Sequence, residues 1–156
     1  MDVLPSPDLP VPVVVDRDDD PATEAWHRMR AISHSPTAMA AFQQLVVETG
    51  LPVAALRALL VLPPADPVPM RELATRLGCD SSYATGIVDT LEQHRLAVRQ
   101  PHPTDRRIKD IALTPHGVEL ARRAQLADTT PPESFGNLSA TEIRTLRDLL
   151  RRIGTD

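Results

Sequence analysis

Apolar positions along the chain recur mostly at helical spacing, and the interruptions are sharp. A helix is predicted from Pro21 or Ala22 through Trp26 and Met29 to about Ser33, with Asp20 placed to cap it. Pro36 breaks that pattern. A second segment carries Met39, Phe42, Leu45 and Val46 on one face and ends at Gly50. Pro52 opens a third, with Leu56, Leu59 and Leu60 inward. Pro63, Pro64, Pro67 and Pro69 form a stiff connector with room for one short edge strand. Met70 to Leu77 reads as a short helix stopped by Gly78, with Leu73, Ala74 and Leu77 inward. Asp80 or Ser81 then caps a helix whose apolar stripe is Ala84, Ile87, Val88 and Leu91.

The period then changes. A short polar–apolar run ending near Arg99 leads into Pro103-Thr104-Asp105-Arg106-Arg107, a turn-rich basic knot, and Ile108 to Leu113 alternates again. Thr114-Pro115 starts a helix through Leu120 and Ala124 to about Asp128. A loop is expected over Thr129 to Leu138. Ser139-Ala140-Thr141-Glu142 is a capping box before Ile143, Leu146, Leu149, Leu150 and Ile153. Helix, glycine turn, helix and basic hairpin, in that order, describe a winged helix-turn-helix. The predicted class is mainly α with a small β-hairpin wing, and with further helices at both ends. Its parts are a tail over 1–20, helices over 21–50, the winged module over 51–128 and a last helix over 129–156.

Composition changes this picture in two places. The chain has 156 residues and a net charge of −4, which at first sight disfavours nucleic acid. Residues 1–24, however, hold seven acids and one base, leaving 14 acids and 16 bases for the remainder. An acidic, proline-rich tail, expected to be disordered or loosely docked, thus masks a mildly basic body. Aromatics are 3%, too few for reading single strands by base stacking. The apolar runs are too short to cross a bilayer, the amino terminus lacks a signal peptide's basic start, and Cys79 is the only cysteine. A cytoplasmic protein with no membrane contact is expected.

The residues that carry this chemistry fall into two groups. On the second helix of the helix-turn-helix, Ser81, Ser82, Tyr83 and Thr85 point away from the stripe, as hydroxyls suited to base edges and phosphates. In the hairpin, Arg106 and Arg107 suit a minor groove, with one of them pairing to Asp105 if the two alternate along a strand. Lys109 is a phosphate contact or simply solvated, and Arg99 either touches the DNA backbone or braces the wing. Trp26, Met29, Met39 and Phe42 are candidates to line an effector pocket, with plain core packing as the alternative. Cys79 is a candidate redox thiol. His27, His34, His94, His102 and His116 have no metal-ligand spacing, and no catalytic motif is present, so neither a cofactor nor an enzyme is expected.

These elements resemble the multiple antibiotic resistance regulator (MarR) family. The matching stretches are ELATRLG at Glu72–Gly78, the T-x-x-V-D-x-L-E frame at Thr85–Glu92, Arg99, Asp105-Arg106-Arg107 and LTPHG at Leu113–Gly117. SATEIRTLRDLLRRI, from Ser139, is similar to that family's last helix. The resemblance implies a homodimeric transcription regulator whose first and last helices form the subunit interface. It also implies binding to double-stranded DNA at a pseudo-palindromic operator, and repression relieved by a small molecule or by oxidation. Three positions depart from the pattern. Gly86 and Thr90 stand where the family often has arginine, and residues 80–94 contain no Lys or Arg. Asp80, Asp89 and Glu92 make the helix acidic, which predicts weaker, less salt-sensitive DNA binding. Arg95 replaces a turn glycine, so it must take a left-handed conformation or the turn must differ. The acidic helix motivates an alternative, a winged-helix protein-interaction module with weak or lost DNA binding.

Overall fold

A computed structural model of the chain describes residues 20–154. The tail predicted over 1–20 lies outside them, except for Asp20. That residue caps α1 (Pro21–Ser33), accepting from the backbone N–H groups of Ala22 at 3.3 Å and Thr23 at 3.1 Å. None of the residues in α1 is buried, and Trp26 and Met29 are exposed on it.

From Ser35 onward the chain builds its own core. Ser35 caps α2 (Pro36–Thr49), and Gly50 ends it in the left-handed region, at φ 67°. α3 (Val53–Val61) follows, then the short strand β1 (Val68–Pro69) and α4 (Met70–Leu77). Gly78, at φ 64°, reverses the chain into α5 (Ser81–Gln93). β2 (Ala97–Pro101) and β3 (Lys109–Leu113) form the hairpin and α6 (Pro115–Thr129) follows. The three strands make one antiparallel sheet in the order β1-β3-β2, with Val68 opposite Ile111 and Arg99 opposite Ile111 on the other side. The edge strand expected in the proline connector is therefore β1. Its proline is tolerated because β1 lies at the sheet's edge.

Leu56, Leu59, Leu73, Val88, Leu91 and Ile111 are fully buried and close the core between helices and sheet. The stripe Ala84, Ile87, Val88 and Leu91 faces inward as its spacing predicts, whereas Leu60 and Leu77 are only half-buried. Asp110 interrupts the apolar pattern. It is 3% exposed, in the central strand, and its Oδ1 has no hydrogen-bond partner, a desolvation cost that the fold carries.

Two expectations need correction. The loop over Thr129–Leu138 contains a 3₁₀ turn, Glu133–Asn137, because the Phe135 N–H reaches the Pro132 carbonyl at 3.0 Å. The second wing strand starts at Lys109 instead of Ile108, since the Ile108 N–H is spent on the Asp105 carbonyl, at 3.0 Å, closing the turn. The last helix, α7 (Ala140–Ile153), carries the complete capping box between Ser139 and Glu142 and has no buried residue.

Candidate nucleic-acid interface

The helix-turn-helix is α4, the turn at Gly78–Asp80, and α5. Asp80 ends the turn by accepting the Tyr83 N–H at 2.9 Å, which satisfies one of the unpaired donors of the first helical turn. Ser81, Ser82, Tyr83 and Thr85 are all exposed, Tyr83 by 57%. Not every hydroxyl there is free to reach outward. Thr85 Oγ1 donates to the Ser81 carbonyl at 2.8 Å, and Thr90 Oγ1 to the Gly86 carbonyl at 3.0 Å.

The acidity of α5 is offset in part from the wing. Arg99, on β2, donates through Nη2 to Asp89 Oδ1 at 2.7 Å and to the Thr85 carbonyl at 3.3 Å. Its Nη1 pairs with Glu92, and its backbone N–H donates to the same carboxylate at 2.9 Å. Arg99 is thus the brace that ties the base of the wing to α5. Its side chain is 25% exposed and engaged by two carboxylates. With Asp80 bound to a backbone N–H and Asp89 and Glu92 held by Arg99, all three carboxylates of this region have partners inside the chain. Sequence reasoning missed this network. Its signal was available, as acids three residues apart on one helix and an arginine on the next strand.

The same corner explains Arg95 and Gly117. Arg95 adopts φ 58° and is the one non-glycine with positive φ among the described residues. Its carbonyl accepts from Thr114 Oγ1 at 2.7 Å. Thr114 in turn caps α6 by accepting the Gly117 N–H at 3.0 Å. A Cβ on Gly117 would lie 1.9 Å from the Leu96 carbonyl oxygen, so only glycine lets α6 start against the root of the wing. LTPHG is therefore a packing and capping device behind the hairpin.

At the tip, the Asp105 side chain accepts the Arg107 backbone N–H at 3.0 Å. Arg106 and Arg107 lie in the turn, not on a strand, so the expected division of one inward and one outward does not apply. Both are exposed, and neither guanidinium forms an ion pair among the described residues. Lys109, exposed at the start of β3, extends the cationic edge. Arg76 is structural, bound to Glu72 at 2.6 Å and to the Val61 carbonyl at 2.8 Å.

Phe42 is 6% exposed and packs in the core with Leu45, so it is not available to line a pocket; Met39 is half-buried on α2, while Trp26 and Met29 are exposed on α1. A cavity of about 270 Å³ lies instead among Glu48, Leu51, His94, His116 and Arg123, where Glu48 holds Arg123 at 2.7 Å. Cys79 is half-buried directly before Asp80. Among the described residues no group of His, Cys, Asp and Glu is placed to hold a metal ion, and no single helix is long and apolar enough to cross a membrane.

Comparison with known proteins agrees with this geometry. The model of the MarR family matches residues 49–108, from the end of α2 to the tip of the wing. A putative transcriptional regulatory protein for the hcr operon of Thauera aromatica is 37% identical over 82 residues, 52% of this chain and 49% of that protein. The HTH-type transcriptional regulator MhqR of Bacillus subtilis is 30% identical over 92 residues, 55% of this chain and 60% of the relative. The chain thus matches about half to three-fifths of the length of these curated relatives. Among solved structures, CouR of Rhodococcus jostii RHA1 bound to p-coumaroyl-CoA is 31% identical, with a TM-score of 0.57 over 86% of this chain and 92% of that one. The transcriptional repressor CouR bound to a 23-mer DNA duplex is 26% identical, with a TM-score of 0.56 over 84% and 89%. With the fold, the ordered motifs and these relatives in agreement, the chain belongs to the MarR family.

Proposed function

We propose that the chain is a cytoplasmic, homodimeric, DNA-binding transcription regulator that acts as a repressor at a pseudo-palindromic operator. The observation that carries this reading is the pair of exposed guanidinium groups, Arg106 and Arg107, at the end of a hairpin whose base is bolted to α5 by Arg99. Such a tip enters a minor groove while the outward face of α5 lies in the adjacent major groove. A second copy of the chain supplies the other half-site, about 10 base pairs away. The apolar face of α7 supports that pairing, since Ile143, Leu149 and Ile153 are exposed along it and Ile153 is 71% so. Repression is relieved by a small molecule, as CouR's complex with p-coumaroyl-CoA makes reasonable for a relative of this identity.

The reading of the chain as a protein-interaction module rested on an acidic recognition helix. That motive weakens once Asp80, Asp89 and Glu92 are seen to be engaged within the chain. The experiment is a duplex-binding assay at low salt with wild type, Arg106→Ala and Arg107→Ala. Each substitution is expected to weaken binding and to flatten its salt dependence by about one counterion. Equal binding by the three proteins removes the wing from the mechanism. Salt-insensitive capture of a protein, with no retention on duplex DNA, favours the alternative.

A further inference from the structure

Opposite the buried stripe of α5, the outermost line of the helix runs Ser82, Gly86, Asp89 and Gln93. Gly86 stands in its middle. A glycine inside an exposed helix weakens that helix relative to alanine, so its presence calls for a reason. The chain itself supplies none. The positive-φ glycines among the described residues are Gly50 and Gly78, whereas Gly86 has ordinary helical backbone. A Cβ built on Gly86 meets nothing within 4 Å, in contrast to Gly117 with its contact at 1.9 Å. The missing side chain leaves room for something outside the protein.

The chemistry around the gap says what that is. In a major groove, Arg and Lys read guanine, Asn and Gln read adenine, Asp and Glu read cytosine, and apolar groups read the thymine methyl. Residues 81–90 contain no Arg, Lys, Asn or Gln, and the amide of Gln93, at the end of the line, stands about two helical turns beyond Gly86. Asp89, the acid of this stretch, is held by Arg99 at 2.7 Å. Thr85 and Thr90 spend their hydroxyl protons on helix carbonyls, at 2.8 Å and 3.0 Å, which leaves each a methyl group and an acceptor oxygen but no side-chain donor. What remains beside Gly86 is a Cα–H surface bordered by methyl groups, with the hydroxyls of Ser82 and Tyr83 nearby.

We propose that Gly86 is a specificity-determining residue: its missing side chain lets α5 settle close to the floor of the major groove and seats the 5-methyl group of a thymine. This rests on the DNA-binding reading above and names what that surface reads. The bare position trades helix stability for close approach, and it replaces hydrogen-bonded readout with an apolar contact.

The test uses full-length wild type and Gly86→Ala. Wild type is first selected against a randomised duplex library. Binding to the selected duplex is then measured at low salt, with each thymine replaced in turn by deoxyuridine, which deletes only the methyl group. As free protein, Gly86→Ala is expected to melt about 2–4 °C higher, which also shows that it folds. On the selected duplex it is expected to bind about tenfold more weakly. One thymine-to-deoxyuridine change should weaken wild type about fivefold and have no further effect on Gly86→Ala. Undiminished binding by Gly86→Ala, or a wild type indifferent to every thymine methyl, overturns the assignment of Gly86 while leaving DNA binding intact. No salt-dependent retention of any duplex by wild type would sink the DNA-binding reading itself, and this inference with it.

Discussion

The winged module and α7 are both helical and both amphipathic, yet they solve the same problem in opposite ways. The module buries its apolar side chains within itself: Leu56, Leu73, Val88, Leu91 and Ile111 have essentially no exposed surface. α7 carries an apolar face of similar chemistry, and none of it is buried. Its helix is held by local means, through the capping box at Ser139–Glu142 and Arg151 and Arg152 in the last turn, where positive charge suits the helix dipole. Periodicity alone reports that an apolar face exists. Only the fold tells whether the chain covers it, and an uncovered face of this kind marks a surface for interaction, which the proposed second copy would cover.

The contrast can be broken hardest from the module's side. Gly117→Ala places a Cβ 1.9 Å from the Leu96 carbonyl oxygen, a backbone atom that cannot step aside without moving the root of the wing. A loss of about 3 kcal/mol or more is expected, read as a fall in the urea midpoint. An unchanged midpoint would show that α6 is not pressed against that strand. From the other side, Ile143→Asp with Leu149→Asp should leave the module folded, because both side chains are exposed in the single chain. The same pair should weaken self-association about 100-fold or more, measured by analytical ultracentrifugation. A variant that stays as associated as wild type would move the interface away from α7.

Where reading the sequence succeeded and failed follows the same divide. The element order was legible because each boundary has a local cause. Ser35, Asp80, Thr114 and Ser139 are side-chain caps, and Gly50 and Gly78 are left-handed stops. The inward stripe of α5 was legible because its period is simple. Bracing the wing was one of the two readings of Arg99, but its partners Asp89 and Glu92 were not identified, since they lie on a different element and meet it only in the fold. Phe42 kept two readings for a related reason: an aromatic at helical spacing reads the same whether it lines a pocket or fills a core, and the fold places it in the core. Arg106 and Arg107 were assigned to alternating faces of a strand that begins only at Lys109. In each case the pattern was seen correctly and the tertiary partner was not.

Smaller effects sharpen the comparison. The module keeps one strained residue, Arg95 at φ 58°, between α5 and β2. Arg95→Gly removes the penalty of a Cβ in the left-handed region, partly offset by the greater freedom of glycine in the unfolded chain. The net expectation is a gain of up to about 1 kcal/mol in urea denaturation. A loss instead would mean that the arginine side chain is held by contacts that outweigh its backbone strain.

The smallest effect tests whether α7 depends on its cap. The hydroxyl of Ser139, with help from its backbone N–H, holds the Glu142 carboxyl below the usual glutamate range. A pKa lowered on folding contributes stability that is fully present above the unfolded value and is lost as pH falls through the folded one. Wild type should therefore exceed Ser139→Ala in helix content at neutral pH, by circular dichroism. The gap should narrow on acidification, once protonation of Glu142 removes its charge and weakens it as an acceptor in wild type. The effect is local, because Glu142 is exposed and no core residue shares its contacts. A gap that stays constant down to strong acid would mean that the Ser139 hydroxyl acts through the helix N–H groups alone, with no part played by Glu142.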